Sequence, residues 1–490
     1  MVNVDRVDTG PAAIPTKPLR AVADGTNETA DRYAWLRQAV TVLVPIAIWF
    51  APLGLEPKTQ HGLAIMAFMV IGWIVEVTEY AITGLVGCFL FWALGVAKID
   101  VAFSGFADST SWFIFAALLL GTLSQKTGIA ARIANGVMRR VGTSYSALLL
   151  GLVITNFLLT PIVPSGISRV AIVGTITVGL IEAFNLPKGS NAARAMFLVS
   201  AYTAALFDKF MVAGAASITA HGLMQRTGGV TVQWSEWFLA FLPCDILVIA
   251  SCWLIALWLY PAEKASFAGG EAFLERQRAS FGPMTAEQKR GALLLFAVIL
   301  IWATDFLHHL NPAVVGVGVI MVALLPRIGV LDADDLRKTN LLPFIFVAAA
   351  VSMANVVTET HGIELVTGFI FAKMLPLMNG TLMSTAVLYW SAFIYHFALA
   401  SEISMLASSL PPLMNFAKTN DLSPKFVGLI WTFAAGGKLF AYQNAVLVVG
   451  YSFGYFKGKD LLKFGLLLTI VEFVVLVPTV VFYWPLIGIK

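Results

Sequence analysis

The run from Leu36 to Leu55 carries a single charge, Arg37, and apolar runs of the same kind follow one another as far as Pro485. Crossing roughly 30 Å of hydrocarbon takes about 20 apolar residues wound as a helix. The runs therefore predict an all-α membrane protein. Candidate spans lie at Leu36 to Leu55, Gly62 to Glu79, Ile82 to Ala97, Ser111 to Leu123, Ala193 to Ala220, Trp237 to Tyr260, Arg290 to Phe306, Pro312 to Pro326, Leu341 to Val357, Pro424 to Gly450 and Leu461 to Pro485, about eleven in all. Of the 490 residues 58% are hydrophobic and 12% charged, far from a soluble average.

Residues 1–35 are polar and lack an apolar core, so they are expected to form a disordered cytoplasmic tail rather than a cleavable signal. Cys88, Cys244 and Cys252 sit in apolar runs without metal spacing and are expected to be small core residues. Lys and Arg set the orientation. With the tail inside, the inner loops hold 16 of them, including Arg139, Arg140, Arg337 and Lys338, against seven outside, such as Lys58 and Lys418. The expected topology is N-inside and C-outside, in a bacterial inner membrane. This bias accounts for the net charge of +4, so no nucleic-acid partner is implied. The thirteen Trp are expected to be mostly interface anchors.

Two stretches break the apolar pattern. TPIVPSGISRVAIV, from Thr160, packs prolines, a glycine, serines and an arginine together, and ALASEISMLASSLPP, from Ala398, places a glutamate in the same setting. Pro161, Pro164 and Gly166 would end one half-helix, with Ser165 and Ser168 offering hydroxyls to the next. Irregular backbone at membrane depth is tolerated only inside protein or along a watery cavity. A helix start there presents free N–H groups and a positive dipole end, which suits an anion.

The two halves also match in order. WFIFAALLLG around Phe113 resembles PFIFVAAAVS around Phe344, and QKTGI ending at Ile129 resembles TETHGI ending at Ile363. PSGIS from Pro164 resembles ASEIS from Ala400, and FDKFMVAG around Lys209 resembles GGKLFAYQ around Lys438. The displacements are 231, 234, 236 and 229 residues, which points to a duplication. In the expected topology the halves start on opposite sides, making an inverted repeat with two re-entrant hairpins, the architecture of secondary transporters.

PSGISR resembles the PSNTAR signature of the divalent anion/sodium symporter family, in its citrate/succinate and 2-oxoglutarate/malate translocator branch. AYTAALFDKFMVAG from Ala201 is similar to the segment that accompanies it, and HFALASEIS from His396 to the second signature copy. The resemblance covers most of the chain after Ser104. It implies an elevator-type fold of the ion-transporter superfamily, a likeness to homodimers, and a di- or tricarboxylate as cargo. The implied organisation is scaffold helices over 36–103, a first transport region over 104–236 with its hairpin near 145–183, a scaffold helix over 237–260 and a cytoplasmic loop over 261–289. Scaffold helices follow over 290–340, then a second transport region over 341–456 with its hairpin near 381–418, and a final scaffold helix over 457–490.

Carried over, Ser165 and Ser401 match the signature serines. The signature Asn is Gly166 and Glu402 here, and the Thr is Ile167 and Ile403, side chains that in the family help form sodium sites and contact a substrate carboxylate. No cofactor is expected, and sodium coupling is left open. The substrate-binding candidates are Ser165, Gly166, Ser168, Arg169, Ser401, Glu402, Ser404, Gln443 and Asn444, with Gly214 allowing close backbone approach.

Charge at bilayer depth is costly and so marks function by default. Arg169 either holds a substrate carboxylate or caps its own hairpin. Lys209 and Lys438 either stand in for sodium ions as fixed positive charges, or pair locally, Lys209 with Asp208, or snorkel. Glu402 either salt-bridges Lys438 or Arg169, carries a proton, contacts a substrate amine or hydroxyl, or faces solvent. Glu76 and Glu79 are expected at an interface, and Asp245 as a structural hydrogen-bonding partner. No catalytic cluster and no GxxxxGK[ST] loop occurs, which disfavours an enzyme or an ATP-driven pump. The expectation is an anion exchanger or proton-linked carrier, with sulfate transport or sodium coupling as the alternative.

Overall fold

The computed structural model describes residues 34–489 apart from Glu76, Asp208, Phe210, Ala213, 265–268, Ala372, Ala398 and Ala400. The expected tail thus lies almost wholly outside the described residues, as do the assignments made for Glu76 and Asp208. Every regular element described is helical. Numbering those of eight residues or more, the first group is α1 Ala34–Phe50, α2 Pro57–Val75 and α3 Tyr80–Ala93. The first repeat continues with α4 Ser109–Thr127, α5 Ile129–Val141, α6 Tyr145–Leu159, α7 Gly166–Ala183, α8 Asn191–Leu206, α9 Ala215–Leu223 and α10 Trp234–Leu259. After α11 Gly270–Phe281, the second set runs α12 Ala286–Ala303, α13 Pro312–Ala323, α14 Leu342–Glu359, α15 Gly362–Phe371, α16 Gly380–Phe397, α17 Glu402–Thr419, α18 Pro424–Ala434, α19 Ala445–Ser452 and α20 Gly458–Pro478.

Local chemistry sets these boundaries. Asp108, Ser144, Ser165, Ser190, Ser423 and Asn444 each accept a main-chain N–H at the start of the helix that follows, supplying a partner to one of the helix's orphan donors. Gly128, at φ 66°, ends α4 in the left-handed region, and the chain turns 67° into α5.

The duplication read from sequence appears as a repeated order: a helix, a turn, a short helix, a hairpin, a broken helix and one long helix. The two sets interlock. Helices α2 and α3 pack on α14, and α12 and α13 pack on α4. The half-helix α9 lies on α17 of the second hairpin, and α19 lies on α7 of the first. The long helices α10 and α20 pack on each other.

Five helices among the described residues are long and apolar enough to cross a membrane, or six if the bent α4–α5 pair is one span. Several of the runs expected as spans depart from one long helix. Two runs expected as single spans, Ala193 to Ala220 and Pro424 to Gly450, are each broken in the middle. Others are short: α3 has 14 residues and α13 has 12. One of the five, α7, is a hairpin arm rather than an expected span.

Two smaller expectations are also revised. Six of the thirteen Trp are buried. Their indole N–H groups find internal acceptors, as in Trp73 to Tyr80 O, Trp302 to Pro312 O and Trp484 to Ala240 O, so the large rings fill the core without an orphaned donor. Asp245 is fully buried in α10, yet neither carboxylate oxygen has a hydrogen-bond partner among the described residues. Glu79 lies exposed at the start of α3, as an interfacial residue would.

Candidate functional site

The first break separates α8 from α9, and Lys209 stands inside it with 1% of its surface exposed. Its Nζ lies 2.8 Å from Glu472 Oε1 in α20, donates to Phe433 O at 3.2 Å, and sits 4.3 Å from the centre of the Phe433 ring. The Trp237 indole donates to Lys209 O at 2.8 Å and fixes the backbone at the same point. Gly436 leaves room for the ammonium, since a Cβ there would lie 2.0 Å from Lys209 Nζ. The expected partner Asp208 is outside the described residues; the partner found is Glu472. An ammonium in low dielectric needs a counter-charge and filled donors, and this one has both.

The second break separates α18 from α19 and contains Lys438, also 1% exposed. Its Nζ lies 2.9 Å from Glu402 Oε2, making a second buried ion pair, although no hydrogen bond of good geometry among the described residues reaches the ammonium. Asn444 Nδ2 donates to the same oxygen at 3.1 Å while Asn444 Oδ1 accepts Val446 N–H and starts α19. Gln443 Oε1 accepts the N–H groups of Leu439 and Phe440 at 2.7 and 2.9 Å, which ties down the loop beside Lys438. Tyr202 from α8 directs its hydroxyl to Lys438 O at 3.1 Å and Leu461 O at 2.8 Å.

The hairpin tips differ. Between α6 and α7, Ser165 accepts the Ser168 N–H at 3.3 Å, with Gly166 buried as the first residue of α7. Arg169 is fully buried and donates to Val163 O at 2.8 Å and Ala204 O at 2.7 Å, the bonding that a hairpin cap requires. Between α16 and α17, Ser401 makes no side-chain cap, and Glu402 is the first residue of α17. A carboxylate there is favoured by the positive helix end. Ser404, two residues on, is buried. Gly214 begins α9 at an ordinary φ of −125° and donates to Ser217 Oγ, so its place needs no left-handed backbone.

Of the expected residues, the structure brings Glu402, Lys438, Gln443 and Asn444 together at one break. Lys209 stands at the other, and Arg169 lies within the first hairpin. Sequence reading missed Glu472, whose signal was available: a lone charge in the apolar run LLLTIVEFVV. It also missed Tyr202 and His396, the latter placing Nε2 3.3 Å from Gln443 O. Truncating Arg169 to Met would remove two charged hydrogen bonds to the buried carbonyls of Val163 and Ala204, so a stability loss of about 3 kcal/mol is expected. Thermal unfolding in detergent followed by fluorescence would read it.

Comparison with known proteins places this geometry. A profile of the sodium:sulfate symporter transmembrane region matches residues 31–490. A protein of Cupriavidus necator named only as a membrane protein is 27% identical over 474 residues, 92% of each chain. The L-tartrate/succinate antiporter of Shigella flexneri is 24% identical over 478 residues, 91% of this chain and 97% of the relative. Its namesake in Escherichia coli K12 is 25% identical over 480 residues, with the same coverage. With its repeated hairpins and broken helices matched almost end to end, the chain belongs to the sodium:sulfate symporter transmembrane family of multi-pass membrane transporters.

Proposed function

We propose that this protein is a secondary active transporter of small di- or tricarboxylates, working by sodium-independent exchange. The observation that carries the reading is the pair of buried ammonium groups, Lys209 and Lys438, one in each helix break. Sodium needs a cage of oxygen ligands, and a fixed ammonium in the same gap repels it. The signature Asn and Thr that help form the family's sodium sites are absent from this chain. An anion is attracted by the same charges and by the helix starts at the hairpin tips. The antiporter names of the relatives in Shigella and Escherichia support both the cargo class and the exchange mode.

In this reading the hairpins and broken helices move as a unit against α2, α3, α12 and α13, in an elevator cycle. The protein works as a homodimer in a bacterial inner membrane, with its N-terminus inside. Sulfate is the alternative cargo, favoured by the description of the matching family. Uptake of radiolabelled succinate, malate, citrate and sulfate into proteoliposomes, with and without sodium and with internal unlabelled anion, tests the proposal. Uptake that needs internal dicarboxylate and ignores sodium is expected. Strict sodium dependence would overturn it.

A further inference from the structure

The two breaks hold the same residue in different states. Lys209 is closed off: a carboxylate, a carbonyl and an aromatic face surround its Nζ. Lys438 is not. Its buried ammonium has a carboxylate at 2.9 Å but no hydrogen bond of good geometry among the described residues, and the buried Nε2 of Gln443, on the same loop, has no partner among them either. That nitrogen is a donor, because the other end of the amide accepts two main-chain N–H groups. A buried amide donor left unmet, on the loop that carries an ammonium held by an ion pair alone, is costly unless something completes it.

The group now facing Lys438 comes from the second hairpin. Glu402 is the first residue of α17, at the tip of the second hairpin, and the equivalent tip of the first hairpin carries Gly166 with no such group. We infer that Lys438 Nζ and Gln443 Nε2 form an anion subsite, and that Glu402 is its tethered occupant. The Glu402 carboxylate holds the place of a substrate carboxylate in the empty carrier and yields it when substrate arrives. Once displaced, it retains the Asn444 amide and lies at the positive N-terminal end of α17, while the incoming carboxylate takes over the Lys438 ammonium. Lys209, bonded on every side described, stays out of the exchange. This rests on the anion-carrier reading above.

A tethered competitor has a signature that a structural salt bridge lacks: removing it tightens substrate binding. For Glu402→Gln the KM for transported anion is expected to fall about tenfold, as loss of a competing charge at a buried pair implies. Glu402→Asp, one methylene shorter and a poorer occupant, should fall between that variant and wild type, and it decides the matter if the Gln variant does not fold. The measurement is proteoliposome uptake of succinate and, separately, of sulfate by all three proteins. A KM at or above the wild-type value in the variants overturns the inference while leaving the carrier reading intact. Uptake of sulfate alone, with the KM for sulfate falling in the same order, overturns the carboxylate reading and supports the subsite. Uptake of neither anion by any of the proteins overturns both.

Discussion

Lys438→Met, which keeps the length of the side chain and removes its charge, is expected to lower succinate uptake roughly 100-fold, the loss that truncating one member of a buried charge pair produces. Two effects separate in this variant. The substrate loses its ammonium, and Glu402 is left buried without a counter-charge. The double variant Lys438→Met/Glu402→Gln distinguishes them. It should regain the expression and thermal stability of wild type and still fail to transport. Recovery of transport in the double variant would show that Lys438 serves only to neutralise Glu402, and the anion reading of the second break would fail.

Lys209 is expected to respond in the opposite way. Lys209→Met strands Glu472, 1% exposed, in the middle of the protein, and breaking a buried pair costs about 3–5 kcal/mol. Glu472→Leu should cost a similar amount by stranding the lysine. With both changed, an apolar pair replaces the ionic one, and such replacements are often neutral or stabilising. The double variant should therefore unfold near the wild-type temperature. A double-mutant cycle read by thermal unfolding in detergent checks this, and additive losses would show that Lys209 and Glu472 do not act as a pair. If the double variant also transports, Lys209 is a staple between α8 and α20 and not an ion surrogate.

How far the sequence led can be judged at particular residues. The first hairpin break was legible because Pro161 and Pro164 interrupt helical hydrogen bonding, although Gly166, expected to end a half-helix, instead opens α7; the copy at Glu402 stood out through its charge. The offset between repeats singled out Lys438 and the stretch around Glu402, closeness in sequence added Gln443 and Asn444, and a Glu402–Lys438 salt bridge was one of several alternatives. The partner of Lys209 was not legible, because Glu472 lies 263 residues away and no periodicity links residues across such a distance. The bonding of Arg169 was invisible for a different reason. Its acceptors are main-chain carbonyls, which every residue has and no composition reveals. The break inside Ala193 to Ala220 was not legible in hydropathy, because the run stays apolar through it and its interior carries no proline.

The exchange of packing partners between the two repeats has a consequence for how the chain is made. The ribosome releases the first hairpin long before the second, yet α7 rests on α19, which ends at Ser452. Helix α4 likewise waits for α12 and α13. Helices of the first half pack on one another, but their contacts with the second half can form only once nearly the whole polypeptide has emerged. The polar tips of the first hairpin must be shielded in that interval by the insertion machinery or by the interface, and assembly is completed by the last part of the chain to leave the tunnel.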